Sequence, residues 1–175
     1  MLKNKIVLEY LNGIVEDEEN ITIVECLLDD VGYDEEIAEK TNIKLNIVRK
    51  ILYKLYDCGL TTYKRNKNPE TQWYTYFWKF DTNNVYLNLN EKYEMYVNRL
   101  EKLLRFEEDN MFFVCENDHL RVDYNRANDL EFICPDCGNK FIFKDNNERV
   151  LSIEKEIKKY KKICMEVNKL FSKSK

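Results

Sequence analysis

Proline and glycine are scarce, at two and four among 175 residues. That shortage argues against a long flexible linker and against a sandwich of short strands, both of which lean on these residues. Histidine occurs once, at position 119, so no Glu can be paired with a His-based ligand set of the kind catalytic zinc uses. No apolar run approaches the roughly 18 residues of a membrane span. The opening "MLKNKIVLEYLNGIVEDEEN" shows no signal-cleavage pattern. The expectation is a soluble cytoplasmic protein with no membrane partner. Repeats and low-complexity tracts are absent too.

What the sequence does have is segregated charge. The net charge is −4, with a pI near 5.3. Residues 1–39 carry 2 basic and 12 acidic side chains, whereas 40–67 carry 8 basic and 1 acidic. Residues 68–150 are again acidic, and 151–175 are basic. Such a balance excludes indiscriminate coating of DNA but leaves room for a limited nucleic-acid contact.

Hydrophobic spacing organises the N-terminal half. Leu2, Ile6, Tyr10 and Ile14 form a stripe on a first helix, and "ITIVECLLDDVG" reads as a second helix closed by Gly32. In the next run Asp34 caps a helix whose Ile37 and Ala38 face inward, and "TNIK" turns the chain. Leu45, Val48, Leu52 and Leu55 then stripe a longer helix that stops at Cys58-Gly59. Helix, turn and helix are followed by a strand "LTTYKR", a turn "NKNPET" and a strand "QWYTYFWKFD", which is the order of a winged helix. Beyond it, "LNLNEKYEMYVNRLEKLLRFEED" is a long helix with Tyr93, Tyr96, Leu100, Leu103 and Leu104 on one side. The final segment spaces Ile153, Ile157, Tyr160, Cys164, Val167 and Phe171 at alternating fours and threes, a helix with a narrow apolar seam.

Between those helices lie the strand-like stretches "MFFVC", "LEFIC" and "KFIFK" and three of the six cysteines. Cys134-Pro-Asp-Cys137-Gly is a metal knuckle, a tight turn that lets two thiolates face one ion. Cys115 opens a second knuckle 15 residues before it, counted from position 118, within zinc-ribbon spacing. Position 118, however, holds Asp118 instead of cysteine. A closed tetrahedral zinc site needs a fourth donor. His119 supplies a soft imidazole at Cys-x3-His spacing, and Asp118 is the alternative, with a harder oxygen. The expected cofactor is one Zn2+ per chain; loss of the metal, with the apolar strands carrying the fold, is the competing reading. Cys26, Cys58 and Cys164 read as small apolar residues in helices.

In the second wing strand, period-two alternation puts Tyr74, Tyr76, Trp78 and Phe80 on one face and Trp73, Thr75, Phe77 and Lys79 on the other. One face is core. The other packs on the neighbouring helix, or serves a protein partner, or stacks on unpaired bases. Lys64, Arg65 and Lys67 stand ready for phosphate. The longer helix exposes Lys44, Arg49, Lys50 and Lys54 but no dense Arg, Asn or Gln set for base edges.

A winged helix carrying "YTYFWK", then a long helix, then a ribbon of the form F-x-C…F-x-C-P-x-C-G resembles the archaeal transcription factor E family. Members of that family are counterparts of the alpha (large) subunit of the eukaryotic general factor TFIIE, and the resemblance covers residues 1–145. It implies a general transcription factor that binds the RNA polymerase clamp and stalk, assists promoter melting and contacts the non-template strand. It also implies work alongside the TATA-binding protein and transcription factor B. The family's aromatic wing falls on Trp73 to Trp78, and its metal cysteines on Cys115, Cys134 and Cys137. The departure is Asp118, where the family pattern has cysteine.

The expected fold is mainly α with small β: a winged-helix domain over 1–89, a connecting helix over 90–109, a zinc-ribbon-like domain over 110–149 and a C-terminal helix over 150–175. The expected role is non-enzymatic and the free protein monomeric. The alternative is a winged-helix repressor that reads operator DNA as a dimer through the terminal seam. A metal-dependent enzyme finds no paired general acid and base.

Overall fold

The computed structural model describes every residue except Asn68, Glu70, Thr71 and Lys175, with side chains as far as Ser172. The turn expected over 66–71 therefore falls partly outside the described residues. The chain is mainly helical with two small sheets, and it divides into two compact units. One is Met1–Asn90 with Val167–Lys175; the other is Glu91–Glu166.

The first unit starts with α1 (Lys5–Val15), whose free N–H groups at Ile6 and Val7 are accepted by the Asn4 side chain. Its buried face is Val7, Leu11 and Val15, one residue on from the expected stripe, which lies only half-buried. After a 3-10 turn come α2 (Ile21–Leu28), α3 (Asp34–Thr41) and α4 (Leu45–Asp57). Asn42 turns the chain between α3 and α4 with φ 56°. The α4 stripe is Val48, Ile51, Leu52 and Leu55, all but sealed from solvent. Gly59 releases the chain after α4 at φ +69°, a value that suits a residue without Cβ. The strands β1 (Thr61–Lys67) and β2 (Tyr74–Phe80) pair antiparallel, Thr61 opposite Phe80 and Lys67 opposite Tyr74.

Gly32 does not close α2, which ends at Leu28. Instead it lets the chain lie against the wing. Its carbonyl accepts from Trp78 N at 2.8 Å, and an added Cβ would sit 2.8 Å from the Phe77 ring and collide with the Trp78 carbonyl. The tight contact, not a helix stop, is what requires glycine there.

Asp81 caps α5 (Thr82–Asp109) by accepting from Asn83 N and Asn84 N. The first turns of α5 place Val85, Tyr86 and Leu89 in the first unit's core. In the second unit its later turns meet α7 (Asn147–Ser174): Val97, Ile153 and Ile157 are buried, with Leu100, Leu103, Leu104 and Tyr160 packed on them. The seam expected on the terminal helix is thus covered in this unit by α5 of the same chain. Tyr160 stacks between Tyr93 and Tyr96, ring centroids 5.9 and 5.7 Å away.

The rest of the second unit is a three-stranded antiparallel sheet in the order β4-β3-β5, from β3 (Phe112–Cys115), β4 (Arg121–Asp123) and β5 (Phe141–Lys144). The "LEFIC" stretch is not a strand. A short helix α6 (Tyr124–Asp129) runs into it, and Glu131 and Phe132 are left-handed at φ 51° and 57°. That backbone cannot pleat, so only the single bridge Ile133 to Lys140 forms. No described helix is long and apolar enough to cross a membrane.

Candidate functional site

Two clusters of functional side chains emerge, one in each unit. In the ribbon, the β3 turn and the knuckle before β5 bring Cys115, His119, Cys134 and Cys137 together, with all four donor atoms within 4.8 Å of one another. Cys115 Sγ lies 3.4 Å from Cys137 Sγ and 3.9 Å from His119 Nδ1, and Cys134 Sγ lies 4.0 Å from that same nitrogen. Thiolates at about 2.3 Å from a tetrahedral ion stand about 3.8 Å apart, so the donor set fits a metal of zinc's size. Backbone geometry builds the pair of turns. Asp118 sits at φ 54° and its N–H donates to the Cys115 carbonyl, while Gly138 at φ +73° donates to Cys134. The Asp118 carboxylate is not part of the cluster; the left-handed turn it occupies is what carries His119 to the thiols.

Burial works against ionising Cys115, but the Asn117 N–H and the Cys137 and Cys134 thiols outweigh it, and its pKa falls below the ordinary value. Cys137 goes the other way. The Asn139 N–H favours its thiolate, yet desolvation and the neighbouring Cys115 raise it overall.

A feature the sequence did not reveal holds the ribbon to its helices. Glu107, only 1% exposed, receives both Arg121 Nη groups at 3.2 and 2.6 Å, Arg149 Nε at 2.6 Å and Asn146 Nδ2 at 3.1 Å. These partners come from β4 and from the entry to α7. Burial penalises the carboxylate, but Arg121 and Asn146 more than compensate, and its pKa lies below the usual range. Arg121 also covers the Phe112 ring at 3.6 Å. Glu107 and Arg121 are 14 positions apart in surface-like charged stretches, so no pattern marks them.

In the first unit the wing and α4 share an aromatic cluster. Trp78, 3% exposed, is its hub, with Tyr63 at 5.0 Å, Tyr53 at 5.3 Å and Tyr56 at 6.3 Å between ring centroids. Tyr76 extends it from Tyr63 at 5.4 Å. Cross-strand register puts Arg65 and Lys67 on the face of Tyr74, Tyr76 and Trp78, and Lys64 on the Phe77 face. Arg65 stands 4.4 Å above the Tyr74 ring and Lys67 Nζ 5.9 Å from it.

The outward pair expected from alternation, Trp73 and Phe77, separates. Phe77 is half-buried, edge-on to Tyr33 at 5.1 Å and pressed on Gly32. Trp73 is 77% exposed. It lies before β2, after Gln72 at φ 61°, and lines the same cavity as Trp78, which alternation alone placed on the opposite face. That cavity, about 320 Å3, lies between α4 and the wing, with Tyr53, Tyr74 and Tyr76 on its walls and Asp34, Glu35 and Arg49 supplying polar groups.

The basic residues of α4 are engaged inside the domain. Arg49 Nε meets Asp34 at 2.5 Å and its Nη2 lies 3.7 Å from Glu35. Lys50 Nζ is 3.1 Å from Glu16, and Lys54 binds the same carboxylate. The acidic N-terminal block thus answers the three cations of α4, while Lys44, the fourth expected to face outward, precedes the helix and among the described residues lies outside these pairs.

The chain is similar to known proteins over nearly its whole length. The family model described as TFIIE alpha subunit matches residues 5–109. A protein named "Transcription factor E" from Methanobrevibacter smithii is 51% identical over 158 residues, covering 90% of this chain and 91% of that one. Proteins of the same name from Methanosphaera stadtmanae and Methanocaldococcus jannaschii are 45% and 41% identical, over 79% and 90% of this chain and 77% and 92% of their own.

Proposed function

The chain belongs to the transcription factor E family, general transcription factors homologous to the TFIIE alpha subunit, and from that premise we propose that it acts in the cytoplasm as a non-enzymatic initiation factor on RNA polymerase. It binds the polymerase clamp and stalk, works in complexes with the TATA-binding protein and transcription factor B, and favours promoter opening through its wing. The observation that carries this reading is the contrast within the first unit. The cations of α4 are tied to Glu16, Asp34 and Glu35, while the wing presents exposed Trp73 and Tyr74 beside Arg65 and Lys67. A duplex reader needs the first set free for phosphate and base edges. A factor that favours the open state needs contacts that exist only there, and aromatic rings stacked on unpaired bases are such contacts.

The ribbon supports the same assignment as a second contact point. Its donor set fits zinc, held by Cys115, Cys134, Cys137 and His119 in a closed site with no open position, so the ion would supply folding energy and not chemistry. The competing reading, a dimeric operator-binding repressor, is weakened because α5 covers the α7 seam it would use. The test is co-purification. Immobilised full-length protein retains RNA polymerase from extract of the cells that make it, and in isolation binds no duplex tightly. Nanomolar, sequence-specific binding of duplex DNA without polymerase retention would support the repressor instead.

A further inference from the structure

The cavity between α4 and the wing is chemically two-sided. Tyr53, Trp73, Tyr76 and Trp78 give it flat apolar walls, and Asp34 and Arg49 add a polar edge. Asp34 is 8% exposed and accepts from Arg49 Nε, so carboxylate and guanidinium are held side by side. Among the described residues the Arg49 terminal nitrogens make only the 3.7 Å ion pair to Glu35, which leaves N–H donors for a guest. At about 320 Å3 the cavity sits at the lower end of the size range of ligand sites, suited to one flat ring and not to a run of nucleotides. Charge selects the kind of guest. Asp34, Glu35 and Arg49 line it, while Arg65 and Lys67 stand beside its Tyr74 wall, so the rim is cationic where a guest's flanking phosphates would lie, and Arg65 already takes the Tyr74 face that a partner's cationic side chain would use.

We propose that this cavity captures one unpaired nucleobase, stacked against its aromatic walls, with Asp34 and Arg49 reading the base edge and Arg65 and Lys67 holding the flanking phosphates. The proposal rests on the reading that the wing meets unpaired promoter DNA, and it adds a discrete site. A carboxylate beside a guanidinium offers one acceptor and one donor. That pair complements the amino group and adjacent ring nitrogen of adenine or cytosine and, equally, the N3–H and adjacent carbonyl of thymine, so each can enter. Asp34 and Arg49 then hold the base edge, and the rings supply affinity.

Both tryptophans of the chain, Trp73 and Trp78, line this cavity, so intrinsic tryptophan fluorescence reports on it alone. The probe is a short strand of abasic deoxyribose phosphates carrying one central adenine, cytosine, thymine or no base, titrated into full-length protein. Central adenine, cytosine or thymine quenches the fluorescence and binds about five-fold or more tighter than the abasic strand, as one stacked base implies. Trp73→Ala, at an exposed position, removes that gain when read through Trp78. Arg49→Met reduces the gain, and Glu35→Gln, whose side chain is largely exposed, changes it less. If Arg49→Met proves unfolded, the base series on the native protein decides by itself. Equal binding of all four strands overturns the cavity while leaving wing contact with single strands standing. No response to any strand overturns both, and a response to an arginine-rich peptide alone overturns it in favour of a protein side chain.

Discussion

The two units reach stability by different routes. The N-terminal unit has a conventional core: Leu11, Ile23, Ile37, Leu52 and Leu55 are fully buried, and a Leu→Ala change at such sites costs about 2–5 kcal/mol. The ribbon has no comparable interior. Its buried apolar residues are Phe112, Cys115, Ala127, Cys134 and Phe141; two of these five are metal-ligand candidates, and the other side chains packed on Cys115, Cys134 and Phe141 are only partly covered. The first unit thus carries its exposed aromatics outside its core, whereas the second buries polar groups, thiols at one end and Glu107 at the other, so each is vulnerable in a different place.

The largest expected effect follows from the thiols. Cys134→Ser abolishes metal binding and exposes residues 111–146 to protease while the N-terminal unit keeps its cooperative unfolding, since structural zinc supplies about 10–16 kcal/mol in small domains. Metal analysis together with limited proteolysis reads both. His119→Ala lowers zinc affinity far more than Asp118→Asn, because only the imidazole reaches the thiols. Equal losses from the two changes would contradict the assignment of the fourth ligand.

Next comes Glu107. Replacing it with Ala removes the shared acceptor of Arg121, Arg149 and Asn146 and costs the second unit about 1–3 kcal/mol in urea unfolding, with the first unit's transition unmoved. The same residue gives the second unit a pH dependence. Its folded pKa is depressed, so its contribution is complete above the pKa it has when unfolded. That contribution is lost as pH falls through the lower folded value. Acid unfolding followed by ribbon-specific probes should lose this acid limb in Glu107→Gln.

The smallest effect is on stability at the wing tip. Trp73→Ala shifts unfolding by less than about 0.5 kcal/mol, as an exposed position should. Phe77→Ala, which opens the contact with Tyr33, destabilises the first unit measurably and so cannot serve as a clean functional probe.

Legibility in the sequence tracked periodicity. The α4 stripe, the hairpin and the α7 seam recur at regular spacing, and residues such as Val48, Leu52, Ile153, Ile157 and Val167 lie buried where spacing put them. The grouping of Cys115, His119, Cys134 and Cys137 was legible because knuckle spacing is local. What spacing could not convey was tertiary choice. The buried stripe of α1 is displaced by one residue because its neighbours decide which face of a mostly apolar helix is covered. The "LEFIC" stretch has strand composition but a left-handed backbone at Glu131 and Phe132. Trp73 and Phe77 obey alternation only while the strand is regular, and Trp73 lies outside it. The Glu107 network and the pairing of α4 cations with the acidic block join residues distant in sequence, which charge counts alone do not reveal.

On the proposed function, the wing favours the open promoter complex through contacts with unpaired bases. The most direct test compares Trp73→Ala with the native protein for open-complex formation by purified polymerase, on a matched promoter and on one pre-melted by mismatches. The expected result is that the variant, folded and still retained by polymerase, stimulates several-fold less on both templates, because the unpaired strand it fails to hold is present in each. Native-level stimulation by Trp73→Ala on both templates, or a defect confined to the matched promoter, would contradict it.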